Sequence, residues 1–372
     1  MELGAVTLSS LASDERLRDV HWLRRFIARP ELGAVAGTLL VLAFFTLTAG
    51  SSGLFSAKGI VNFLEVSAQL GILAVAVTLL MIAGEFDLSV GSMIGFAGVV
   101  IAIPAVQWNW PVWLTVLLAF ALSGFFGYLN GFVVIKTRLP SFIVTLGSLF
   151  ILRGLTLGLT RLTTGRTQVG GLREHSTGDW ITPFFANQIA EAPVAWLAKI
   201  GVIGLRADGR PMIEGIPVSI LWWIGLTLIA AFILARTRFG NWIFASGGDA
   251  SAARNVGVPV ARTKITLFVF TALAAALFAA IQVLTAGSAD TLRGTQKEFE
   301  AIIAAVIGGT LLTGGYGSAI GALFGSLIFG LVQMGIFYTG VDTDWFKLFM
   351  GLMLVIAVLF NSYVLRRATG SQ

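Results

Sequence analysis

The residues best placed to do chemistry stand where charge is least welcome. Gly84-Glu85-Phe86-Asp87-Leu88-Ser89-Val90-Gly91-Ser92 sets two carboxylates between two strongly apolar runs, with no Lys or Arg close by in sequence to pair with them. A charge at the centre of a membrane helix costs about 2.5–3.5 kcal/mol on insertion scales, so such acids need a reason. Three readings are open: a capped turn at a hydrated surface, a helix break lining a solute path, or a proton relay. Asp87 followed by Ser89 and Gly91 suits a helix restart, because a carboxylate stabilises free backbone amides at the positive end. Arg153, deep in another apolar run, is either one half of an ion pair with an acid such as Glu65 or Asp87, or a solute contact. Asn130, Phe142 and Thr145 add polar and aromatic lining candidates, and Gly314 with Gly315 marks a second glycine-rich interruption.

These groups sit in a chain that composition removes from water. Of 372 residues, 56% are hydrophobic and 12% charged, far from the soluble norm of about 45–50% and about 25%. With no cysteine, disulfides, iron–sulfur clusters and thiolate zinc sites are excluded, and two histidines make a metal centre improbable. No cofactor or metal is expected. The net charge of +6 reads as basic loops beside a membrane, not as a nucleic-acid surface. No apolar stretch precedes residue 30, so no cleavable signal is expected.

Apolar runs cover residues 33–50, 60–83, 90–107, 112–132, 142–160, 217–235, 265–285, 299–313, 318–338 and 345–363. At about 20 residues per crossing they predict an all-α polytopic membrane protein of about ten helices. Placing the first run's start in the cytoplasm puts Arg16, Arg18, Arg24, Arg25, Arg29, Lys136, Arg138, Arg236, Arg238, Arg254, Arg262, Lys264, Arg366 and Arg367 inside. Only Lys58, Arg293, Lys297 and Lys347 then fall in short outside segments, so both termini are expected inside. Trp108, Trp110, Trp222, Trp223 and Trp345 would mark the outer interface. The resulting organisation is an amino-terminal cytoplasmic segment, 1–30, a membrane domain, 31–363, and a cytoplasmic tail, 364–372. Within the membrane domain, 161–215 is an outside loop and 246–264 a cytoplasmic one.

Runs two to four and eight to ten share an order: helix, glycine-rich interruption, helix, short outside loop, helix. Gly91-Ser92-Met93-Ile94-Gly95 matches Gly317-Ser318-Ala319-Ile320-Gly321 in kind, which suggests an internal parallel repeat. Asn130-Gly131 reads as the end of the fourth helix, and Pro140 as the residue before a new helix at Ser141. In the inside loop, Asp249 can cap an Ala-rich stretch that Gly257 and Pro259 stop, predicting a short surface helix. That helix is either an ornament of the loop or a docking element. No Gly-x-x-x-x-Gly-Lys-Ser/Thr run exists, so any ATP dependence requires another subunit.

The letters resemble the membrane-spanning permease subunits of bacterial ABC importers for ribose, xylose, galactose and similar sugars. The resemblance is carried by Glu85 to Ser92, by Asn130-Gly131 with Leu139-Pro140-Ser141-Phe142-Ile143-Val144-Thr145-Leu146-Gly147, and by Leu152-Arg153-Gly154. It continues through Gly247-Gly248, Ala252-Ala253-Arg254, Gly257-Val258, Ile307-Gly308-Gly309-Thr310, Gly314-Gly315 and Gly317. Family members usually carry a second glycine and an Ile or Val where this chain has Glu85 and Phe86, and the 161–215 loop is long for the family. The resemblance implies a homodimeric pore in the lipid bilayer of the bacterial inner membrane. It also implies two cytoplasmic ATPase subunits, a periplasmic solute-binding protein, and import of a sugar or polyol by alternating access without catalysis. A neutral, polar sugar needs small residues and hydroxyls along its path more than buried charges, and the candidates for that path are Gly84, Glu85, Asp87, Ser89, Ser92, Asn130, Phe142, Thr145, Arg153, Gly314 and Gly315. ATPase coupling would fall to Gly248, Asp249, Ala252, Ala253, Arg254 and Gly257. The rivals are a proton-coupled carrier using Glu85, Asp87 and Arg153, and a polytopic membrane enzyme, for which the 161–215 loop offers only dispersed Arg166, Arg173, Glu174, Asp179 and Glu191.

Overall fold

A computed structural model describes residues 30–206 and 208–369. The expected amino-terminal segment therefore lies outside the described residues apart from Pro30, and so do the last three residues of the expected tail. The long helices are α1 (Pro30–Ala49), α2 (Ala57–Ile82), α3 (Val90–Trp108), α4 (Val112–Thr137) and α5 (Ser141–Thr164). Two short strands, β1 (Gln168–Val169) and β2 (Gln188–Ile189), and two short helices, α6 (Leu172–Ser176) and α7 (Glu191–Lys199), build the long loop up to β3 (Ile216–Pro217). Then come α8 (Val218–Arg236), α9 (Arg238–Gly248), α10 (Ala250–Asn255), α11 (Val260–Ala286), β4 (Ala289–Asp290), α12 (Lys297–Ile307), α13 (Ala319–Thr339) and α14 (Phe346–Thr369).

Each of the ten apolar runs holds a helix, and among the described residues eight helices are long and apolar enough to cross a membrane. α14 is apolar over Phe346–Leu359, whereas α12 has only 11 residues. At 1.5 Å per residue it reaches about 16 Å, half a bilayer core. The run expected to span 299–313 is thus a half-helix, ended by Gly308 and by Gly309 at φ +89°. The proposed repeat is correspondingly uneven, since its counterpart α2 has 26 residues. Asn130-Gly131 also differs from expectation: α4 runs on through it to Thr137 and ends at Arg138, φ +59°. Gly131 is there for packing, because a Cβ on it would lie 2.9 Å from the Ile265 Cα, and one on Gly127 would lie 2.6 Å from the Phe268 carbonyl oxygen. Small residues four apart let α4 and α11 close backbone to backbone, the usual device for helix contact in lipid.

α2, α3 and α11 form the buried centre, contributing Leu73, Ile94, Ala275 and Phe278 to one apolar core. α1 and α5 show most of their length outward, with Leu47, Phe150, Ile151 and Leu162 exposed. Trp223 joins the core instead of the outer interface: it is 3% exposed, packed where Gly71 leaves room. Segment 289–294 does not stay in an outer loop. It runs down α3 against Gly98, Gly95 and Gly91, residues that share one face of that helix, and delivers α12 to mid-bundle depth. Arg293 and Lys297, counted outside by charge, are drawn in with it; Arg293 donates to the Gln282 carbonyl at 3.1 Å, and Lys297 pairs with Glu300.

Candidate functional site

The interruption after α2 is a closed polar knot. Asp87, 1% exposed, accepts the Ser89 amide at 2.9 Å and the Ser89 hydroxyl at 2.5 Å on Oδ1, and the Thr271 hydroxyl at 3.0 Å on Oδ2. Bonds to a charged acceptor contribute about 1.5–3 kcal/mol each, enough in sum to offset the burial of one carboxylate. Asn130 of α4 donates to Ser89 Oγ at 3.0 Å and accepts from Ser148 of α5. From the first turns of α5, Ser141 Oγ receives the Phe86 amide at 3.0 Å and Thr145 Oγ1 the Leu88 amide at 3.1 Å. The turn's free amides are therefore satisfied by a neighbouring helix. Ser89 itself caps α3 without a side-chain capping bond; the carboxylate two residues upstream takes its amide instead.

Glu85 is not unpaired. Lys264, 179 positions away on α11, meets its carboxylate at 2.6 Å, with 11% and 13% of the two side chains exposed. Sequence reasoning placed Lys264 among cytoplasmic loop charges and missed the pairing. Ser141, Ser148 and Thr271 were missed too; the 141, 145, 148 spacing on one helix face was the available signal. Arg153 makes no ion pair with Glu65 or Asp87 among the described residues. Glu298 is 3% exposed, and its Oε2 has no hydrogen-bond partner among the described residues. Ser92 is buried, its hydroxyl unpartnered among the described residues, and Phe142 is half exposed on the outer face of α5. Neither joins the knot.

A second junction lies one turn away and is made almost wholly of backbone. Gly84 (φ +81°), Gly247, Gly314 (φ +82°) and Gly315 (φ +73°) meet there. The Gly315 amide donates to the Ile82 carbonyl at 2.8 Å. A Cβ on Gly247 would stand 1.8 Å from that same oxygen, and one on Gly314 would stand 2.8 Å from the Gly84 Cα. Only glycine fits both the left-handed φ and the approach. The two interruptions thus touch each other, and both touch the end of α9.

From that end the chain enters α10. Asp249 caps it, its Oδ1 accepting the Ser251 amide at 2.8 Å and the Ala252 amide at 3.0 Å. These bonds hold its carboxyl below the usual carboxylate range. Gly257, φ +86°, turns the chain out of the helix toward Pro259 and α11, as the sequence led one to expect. Ala253 packs inward while Ser251, Ala252 and Arg254 stay exposed. At the opposite end of the bundle, the 161–215 segment is tied down at several points. Strand β1 pairs with β4, Arg173 donates to the Thr285 carbonyl at 3.2 Å, Asp179 accepts the Trp113 amide at 3.2 Å, and the Trp222 indole donates to the Phe184 carbonyl at 2.7 Å.

Residues 59–358 match the family described as branched-chain amino acid transport system / permease component. The chain is 33% identical to the xylose transport system permease protein XylH of Escherichia coli (strain K12), over 90% of this chain and 92% of that one. It is 32% identical to the ribose import permease protein RbsC of the same strain, over 87% and 91%. Against that strain's probable ABC transporter permease protein YphD the figures are 31%, 93% and 94%. No solved structure matches the chain.

Proposed function

Because the chain belongs to this permease family, we propose that it is the membrane-spanning subunit of an ATP-driven importer that moves a monosaccharide or related small polar solute into the bacterial cytoplasm. The relatives named for xylose and ribose supply the solute class. The observation that carries the mechanism is the glycine junction. It links the end of α9, from which the chain enters the capped helix α10, by direct backbone contact to both interruptions. A push on α10 would reach Gly84 and Gly314 together, without flexible side chains to absorb it.

In this reading two copies of a cytoplasmic ATPase dock on Gly248, Asp249, Ala252, Ala253, Arg254 and Gly257. A periplasmic solute-binding protein meets the face built from 161–215, and both termini lie in the cytoplasm. A second copy of the chain completes the pore against the outward, apolar face of α5. The solute passes among Gly84, Ser89, Ser92, Asn130, Phe142, Thr145, Arg153, Gly314 and Gly315, with Glu85 and Asp87 holding the turn in shape. Nothing is bonded covalently in transit. The competing reading, a proton-coupled carrier, draws support from Glu298, whose buried carboxylate oxygen lacks a hydrogen-bond partner among the described residues. Co-expression with the neighbouring binding-protein and ATPase genes, followed by uptake of labelled pentoses, hexoses and polyols, tests the proposal. Uptake of at least one that requires all three components is expected; uptake by this chain alone would overturn it.

A further inference from the structure

At the end of the bundle opposite the glycine junction, the 161–215 segment roofs a cavity of about 520 Å³ over α2, α8 and the last turns of α11. The size lies within the usual range for small-molecule sites, about 300–1,000 Å³. Its wall carries Glu65, Arg173, Phe185, Asn187, Gln188 and Ser219. Ser219 is 2% exposed, and its hydroxyl has no hydrogen-bond partner among the described residues. A buried polar atom left so costs about 1–3 kcal/mol, which a ligand hydroxyl would recover. Glu65 accepts one long bond, 3.4 Å from Gln69, and Gln69 in turn accepts from Gln282 at 2.7 Å, so a polar line leads from the cavity down into the bundle. Arg173 is held by the Thr285 carbonyl. The Phe185 ring lies parallel to Trp222, centroids 6.2 Å apart and planes 9° apart, giving the cavity a firm apolar wall.

Carboxylates outnumber the single guanidinium on this wall, which disfavours anions. Carboxylate, amide and guanidinium groups beside an aromatic ring match a solute whose hydroxyls both donate and accept and whose C–H face is apolar. We propose that this cavity is a binding site for a neutral monosaccharide, built into the membrane subunit itself. The inference rests on the sugar reading above, but its test reads binding, not transport.

The chain has no cysteine, so Ala186→Cys on the cavity wall gives a single thiol in lipid nanodiscs. D-xylose and D-ribose should each slow its reaction with a membrane-impermeant maleimide, saturably, while the anionic D-glucuronate should not. Glu65→Gln should raise the half-protecting concentration by about tenfold, the loss expected for a hydrogen bond to a charged group. Ser219→Ala should raise it by a smaller factor, which keeps the test available if Glu65→Gln does not fold. Absence of protection by both sugars, or protection unchanged in both variants, overturns the site. Uptake by the assembled importer, measured in parallel, separates the two claims: uptake without protection rejects the cavity and leaves the importer standing. Protection without ATP-driven uptake does the reverse.

Discussion

Glu85 and Lys264 hold each other almost out of water, and a pair of that kind is defined by what happens when one partner is lost. Breaking it leaves a desolvated charge, at a cost of about 3–5 kcal/mol, whereas replacing both by apolar residues is often close to neutral. Lys264→Met alone should therefore lower the thermal midpoint of the detergent-solubilised protein sharply, and the double variant Glu85→Leu/Lys264→Met should recover most of the loss. Equal loss in both would show that the pair is not the element at stake. Asp249 behaves differently because it stands in water. Its folded carboxyl is depressed by the Ser251 and Ala252 amides. Its contribution is therefore complete above the usual carboxylate range and vanishes only as pH falls through the still lower folded value. The number of solutes moved per ATP should be flat with respect to this residue from about pH 5 to 8. Asp249→Ala should reduce coupling throughout that window, and Asp249→Asn should retain it, because an amide oxygen still caps.

Among the elements, the junction of Gly84, Gly247 and Gly314 makes the sharpest demand. Gly247 and Gly248 are adjacent, but a Cβ on Gly247 would strike the Ile82 carbonyl, whereas one on Gly248 would meet none of the described residues within 4 Å. Gly247→Ala should depress ATP-driven uptake by about tenfold or more through forced backbone displacement, with membrane insertion intact, while Gly248→Ala, which displaces no backbone, should cost clearly less. Equal tolerance of both would remove the junction from the mechanism. Helices were legible in the sequence because each must satisfy its backbone internally and clothe it in apolar side chains, so the ten runs stand out by hydropathy alone. Caps were legible for the same local reason, as Asp249 and Pro140 illustrate. What could not be read were contacts between distant turns. Asn130-Gly131 resembles a helix end, yet Gly131 is an α4–α11 contact and Asn130 bonds Ser89 and Ser148; Lys264 resembles a loop charge and is the partner of Glu85; and the 299–313 run conceals a half-helix because Leu311 and Leu312 keep it apolar after the helix has stopped.

The molecule as a whole has two unlike ends joined by α11, about 40 Å of continuous helix. One end carries α10 and the glycine junction, the other the roofed cavity. If the first faces the cytoplasm, Ser251→Cys in the cysteine-free chain should react with an impermeant maleimide only in inverted vesicles; labelling in intact spheroplasts would reverse the orientation. The central claim is that ATP in a partner subunit, and not a proton gradient acting on Glu85, Asp87, Arg153 or Glu298, drives the solute across. Uptake of a transported labelled sugar by cells expressing the complete system, with the proton gradient collapsed by a protonophore and ATP maintained, tests this most directly. Uptake should continue at close to its original rate; its arrest while ATP remains high would make the proton gradient the driving force.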